Sequence, residues 1–115
     1  MEKIIKRGEI YWVTFGDTAG SEQSGTRPAL IIQNDMGNKH SPVTIVAPLT
    51  TKTRTKHHIP TNVYLRPDEV GRESAVHCEQ IRAVSKERLG DYIATLSDER
   101  MKDVDNALKI SLGLI

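Results

Sequence analysis

Arg27 stands directly before Pro28, at the mouth of the apolar run Ala29-Leu30-Ile31-Ile32, and closes a polar loop that begins at Gly20. Proline fixes its own φ and biases the preceding residue toward extended backbone, so the guanidinium projects from a defined base. A planar, permanently charged fork held in this way suits phosphate. Arg27 can neutralise charge that builds on a pentavalent phosphate. It is a poor proton acceptor, since an arginine pKa lies near ~13. Glu22, five residues earlier on the same loop, can accept the proton of an attacking hydroxyl. Thr50 and Thr51 end a second apolar run, Val43 to Leu49, and can donate hydrogen bonds to a phosphate oxygen. Together these residues fit phosphodiester chemistry without a metal, although each alone reads as an ordinary solvated side chain.

The basic stretch beyond Thr51 adds to this. Lys52, Arg54 and Lys56 alternate with threonine, with no acid between Thr50 and Pro60. In extended backbone the three cations share one side and can follow a phosphate chain. The plain alternative is a hydrophilic hairpin loop. Aromatics for base stacking are few (Tyr11, Trp12, Phe15, Tyr64 and Tyr92), so recognition leans on hydrogen bonds to base edges, which single-stranded RNA exposes.

Other chemistries lack their residues. His40, His57, His58 and His77 make no i,i+4 pair and do not join Cys78 in a zinc-ligand spacing. No metal site or other cofactor is expected. Cys78 lies within an apolar strand pattern and reads as core rather than nucleophile. With a single cysteine no intramolecular disulfide forms, which fits a reducing cytoplasm. Sixteen basic against fifteen acidic residues give a net charge of +1, so any affinity for nucleic acid comes from a local patch. No apolar run approaches ~20 residues and the N-terminus has no signal-peptide pattern, so no membrane association is expected.

The elements that must position these groups fit one domain over residues 1–115. Glu9 to Phe15 is β-branched and aromatic and reads as a strand. Pro28 to Gln33 and Val43 to Leu49 are further strands, with a turn at Asn34-Asp35 between them. Asn62 to Leu65 is a shorter strand, broken at Arg66 to Gly71. Ser74 to Val84 reads as one longer strand, straight or bent, and Tyr92 to Thr95 as another piece. Short strands at this spacing predict a small barrel or a sandwich. The C-terminal stretch changes period: Met101, Val104, Leu108, Leu112 and Ile115 form one helical stripe, with Ser97 as N-cap. Asp98–Lys102 and Asp105–Lys109 are acid-before-base pairs four apart. The stripe can pack on its own sheet or on another subunit.

Lys6 to Trp12, the block Gly20-Ser21-Glu22-Gln23 with Gly25, Arg27 and Pro28, then Ile32-Gln33-Asn34-Asp35 with Gly37-Asn38, and Glu79-Gln80-Ile81-Arg82 closely resemble the MazF/PemK toxin family. They look most like its Gram-positive branch. The resemblance runs over essentially the whole chain and is weakest from Lys52 to Arg72. It implies a mainly β (α+β) fold, an SH3-like small β-barrel of the CcdB/PemK type with a C-terminal amphipathic helix, forming a homodimer. It also implies a metal-independent endoribonuclease toxin that cuts single-stranded RNA, chiefly mRNA, at a specific sequence, and that a cognate MazE-like antitoxin neutralises. In this family the 2′-OH of the RNA attacks, leaving a 2′,3′-cyclic phosphate and a 5′-OH. By the resemblance, Arg27 and Thr50 take the catalytic positions and Glu22 that of the base. Ser21, Gln23, Asn34 and Gln80 are implied RNA contacts; Lys52, Arg54 and Lys56 are RNA contacts by their charge pattern and not by the resemblance. The alternative is a non-enzymatic, CcdB-like gyrase inhibitor of the same fold, though those proteins lack the arginine–threonine pair. A third reading is a binding barrel without catalysis.

Overall fold

The computed structural model describes residues 4–16, 25–53 and 59–115. Its strands are β1 (Glu9–Phe15), β2 (Gly25–Ile31), β3 (Val43–Thr50), β4 (Asn62–Leu65), β5 (Ser74–His77), β6 (Arg82–Ser85) and β7 (Leu89–Thr95). Its helices are α1 (Asp35–His40), α2 (Pro67–Val70) and α3 (Asp98–Ser111). The strands form one antiparallel sheet in the order β4-β5-β3-β2-β1-β7, with β6 also on β3. The end strands β4 and β7 do not pair with each other among the described residues, so the expected barrel is present only as an open sheet.

Strand β3 organises the sheet because it serves three partners. One side pairs with β2; the other serves β6 from Val43 to Val46 and then β5 at Leu49 and Thr50. The change of partner falls at Ala47-Pro48, where proline has no N–H to give to a ladder. Strands β5 and β6 therefore follow one another along the same edge of β3. The stretch from Ser74 to Val84, expected as one strand, is two strands separated by a turn in which Gln80 N donates to His77 O at 3.2 Å.

The apolar runs lack clean alternation because both faces of the central strands are buried. On one face Ile10, Leu30, Ala47 and Leu49 pack under Met101, Val104 and Ala107 of α3. On the other, Val13, Phe15, Ala29, Ile31 and Val46 pack with Ile5, Val84 and Leu89. Ser97 caps α3 as expected, its side chain accepting from Arg100 N at 3.1 Å. The predicted stripe, however, stops early. Leu112 and Ile115 are exposed, because Gly113 adopts φ 71° and the helix closes in a left-handed cap. Leu114 N donates to Lys109 O at 2.8 Å and Gly113 N to Ile110 O at 3.2 Å, the pattern of a Schellman motif. Asp105 is drawn to Arg7 Nη2 at 2.6 Å, where an i,i+4 pair with Lys109 was expected. Arg7 Nε also donates to Ile32 O, which ties β1's approach to the end of β2 and to α3. None of the described helices is long and apolar enough to cross a membrane.

Candidate active site

The ladder between β2 and β3 stops at Ala29↔Pro48, with Pro28 the next residue on β2. Below this point the strands part, and the gap between them is a cleft of about 260 Å³. Thr26, Arg27 and Pro28 border it from β2, and Leu49, Thr50 and Thr51 from β3. The two residues singled out for phosphate chemistry thus border the same cleft, and Arg27 has the extended backbone that Pro28 favours.

Thr50 is buried, and its Oγ1 accepts from Lys52 N at 3.1 Å. A hydroxyl has two acceptor lone pairs and one donor proton, so this bond fixes the rotor and leaves the proton to give. Beyond Thr50 the chain is held by Glu73. Buried Thr53 donates to Glu73 Oε1 at 2.5 Å, and Tyr64 OH donates to Glu73 Oε2 at 2.6 Å. The Tyr64 hydroxyl is raised above its ordinary pKa, chiefly by that bond to Glu73. The described start of the basic stretch is thereby fastened to the strand that carries Ser74.

A second arginine, Arg72, closes the cleft from the β5 side with Ser74. Its place depends on α2, which also brings Val70. Glu69 of α2 makes a two-pronged pair with Arg100 of α3, Nε to Oε1 at 2.8 Å and Nη2 to Oε2 at 3.1 Å, and accepts from Arg66 N at 2.7 Å. Burial alone raises the Glu69 carboxyl, but the bonds from Arg100 and Arg66 outweigh it and hold the group below its usual range. No sequence pattern marked Arg72; it joins Arg27 at the cleft through the fold, lying between α2 and β5.

The remaining expected residues fall in several places. Glu22, Ser21, Gln23, Arg54 and Lys56 lie outside the described residues, as do His57 and His58. Lys52 is exposed, directly after Thr51. Asn34 does not border the cleft. It caps α1, a helix where a turn was expected, by accepting from Gly37 N at 2.8 Å. Gln80 lies in the turn beyond the far end of β5 from Ser74, with its Oε1 buried and unpartnered among the described residues. Cys78 is fully buried, and burial pushes its thiol up to about 12, which suits core packing. Among the described residues no group of three or more His, Cys, Asp or Glu is placed to hold a metal ion.

Residues 6–112 match the model of the PemK-like, MazF-like toxins of type II toxin–antitoxin systems. The chain belongs to this family. It is 47% identical over 114 residues to endoribonuclease EndoA of Bacillus subtilis (strain 168), covering 97% of each chain. Among solved structures it is similar to an endoribonuclease in complex with its cognate antitoxin from a mycobacterial species, with TM-score 0.81 and 31% identity over 96% of this chain and 97% of that one. It is also similar to MazF of Deinococcus radiodurans, with TM-score 0.82 and 26% identity over 97% of this chain and 99% of that one. This toxin therefore carries a MazF-like fold, a mainly antiparallel sheet with a C-terminal helix.

Proposed function

We propose that this toxin is a sequence-specific endoribonuclease that cuts single-stranded RNA, chiefly mRNA, without a metal ion. The observation that carries the reading is that Arg27 and Thr50 border one cleft. The ribose 2′-OH attacks the adjacent phosphate. A 2′-O–P bond forms, the P–O5′ bond breaks, and the leaving 5′-oxygen takes up a proton. The products are a 2′,3′-cyclic phosphate and a 5′-OH, with no water consumed. Arg27 offsets the charge that gathers on the nonbridging oxygens, and the Thr50 hydroxyl donates to one of them. Glu22 accepts the proton from the 2′-OH. Two guanidinium groups at one small cleft supply the positive charge that many nucleases take from a cation.

Lys52, Arg54 and Lys56 follow the phosphates leaving the cleft, while Ser21 and Gln23 read base edges. Gln80 joins them as a further RNA contact, as the family motif implies. Asn34 caps α1 with its Oδ1 and offers its amide N–H groups to the RNA. A MazE-like antitoxin blocks the RNA path, in keeping with the antitoxin complex of the mycobacterial relative. The working unit is a cytoplasmic homodimer with an SH3-like core.

Purified toxin incubated with a long single-stranded RNA in excess EDTA tests the reading. Cutting at one short recurring sequence is expected. A requirement for added magnesium would overturn it.

A further inference from the structure

Trp12 is 43% exposed, on a sheet whose other central strand residues are largely buried. Of the five aromatic side chains it alone borders the cleft. Tyr11 and Phe15 are buried, Tyr64 is engaged by Glu73, and Tyr92 donates to or accepts from Thr95 while meeting Tyr11 edge-on. An exposed indole bordering a cleft raises the question of a structural reason for its aim.

The local backbone supplies one. Tyr11 pairs with Tyr92 and Val13 with Leu89, so two residues of β7, Gly90 and Asp91, stand opposite Trp12 alone. A second extra residue, Ile93, falls between the pairs Ile10↔Ala94 and Tyr11↔Tyr92. Such bulges bend a strand and re-aim its neighbours, and they gather beside active sites. Here both irregular positions, Trp12 and Ile93, border the cleft. Opposite Trp12 on the other strand is Pro28, and Val70 of α2 extends the same apolar wall. Arg27, Thr50 and Arg72 form the polar remainder. The cleft thus offers both apolar side chains, an indole among them, and two cations. A nucleotide has two halves to match: a base with a π-face, and a phosphate.

We infer that Trp12 is a stacking platform for the nucleobase beside the scissile phosphate. The inference rests on the RNA reading above and adds a base-binding subsite to it. Stacking accepts any base, so this contact supplies affinity while hydrogen bonds elsewhere supply sequence preference.

Trp12 is the only tryptophan in the chain, so its emission reports on this site alone. The probe is a short RNA built on the mapped cut site, with deoxyribose at the attacked sugar, its binding followed by anisotropy. Saturation should quench the emission. Removing the base next to the cut, leaving an abasic sugar, should restore emission and weaken binding about 5- to 150-fold. Trp12→Ala should weaken binding by a similar factor, its loss in cleavage falling on KM rather than kcat, and Trp12→Phe should recover most of it. Unchanged emission at saturation, or unchanged affinity in Trp12→Ala, overturns the inference. So does a Trp12→Ala variant that differs from the parent in sedimentation, which would mark a subunit contact. An RNA that binds and quenches yet stays intact in its all-ribose form would sink the cleavage scheme and leave the platform standing.

Discussion

Arg27 and Thr50 differ in what their loss should cost. Removing one preorganised donor to a developing oxyanion costs about 10²–10³ in kcat, and Arg27→Ala should lose that much without unfolding the protein, because the side chain is exposed at the end of β2. Near-parental kcat in a folded Arg27→Ala protein would remove the residue from the mechanism. Thr50→Ser keeps the hydroxyl and should retain most activity, whereas Thr50→Val should fall toward Arg27→Ala. Equal rates for the serine and valine variants would contradict a donor role. The arginine was legible in the sequence because Pro28 marked its backbone, and Thr50 because it ends an apolar strand. Arg72 and Trp12 were not. Arg72 borders the cleft between α2 and β5, and Trp12 stands at a register shift between β1 and β7, both tertiary facts with no local signature.

At the scale of elements, helix α3 and its neighbour α2 give two stability tests. The Ser97 cap was readable from composition, and Ser97→Ala should lower stability by about 1 kcal/mol, seen as a shifted denaturant midpoint at constant slope. An unchanged midpoint would mean that the cap bond to Arg100 N adds nothing. The Glu69–Arg100 pair sets an acid limit. Glu69 is held below its ordinary 4.5 in the folded chain, so its contribution is full above that value and is lost as pH falls through the lowered one. Glu69→Gln should therefore cost about 2 kcal/mol at neutral pH and flatten the acid limb of the stability curve below about pH 4.5. A variant curve parallel to the parent's through that range would rule the pair out as its source. Periodicity gave α3 its start and its buried face but ran it past Gly113, where glycine's left-handed φ ends the helix. Strand β3 was found whole, yet its three partners were not, because a partner change at Pro48 leaves no trace in hydrophobic alternation.

For the whole molecule, short strands alone left barrel and sandwich open, and the barrel that the family resemblance implied is present only as an open sheet. The expected strands are present with Ser74–Val84 divided into β5 and β6, β4 and β7 do not pair with each other among the described residues, and Arg27 and Thr50 border one cleft. Its chemistry turns on where the nucleophile comes from. If the RNA supplies its own, the protein needs only to hold charge and shape. A target RNA with deoxyribose at the single attacked sugar, compared with its all-ribose twin in excess EDTA, isolates that point. The all-ribose strand should be cut to 2′,3′-cyclic phosphate and 5′-OH ends while the deoxy strand stays intact. Cleavage of the deoxy strand at a comparable rate would contradict the account.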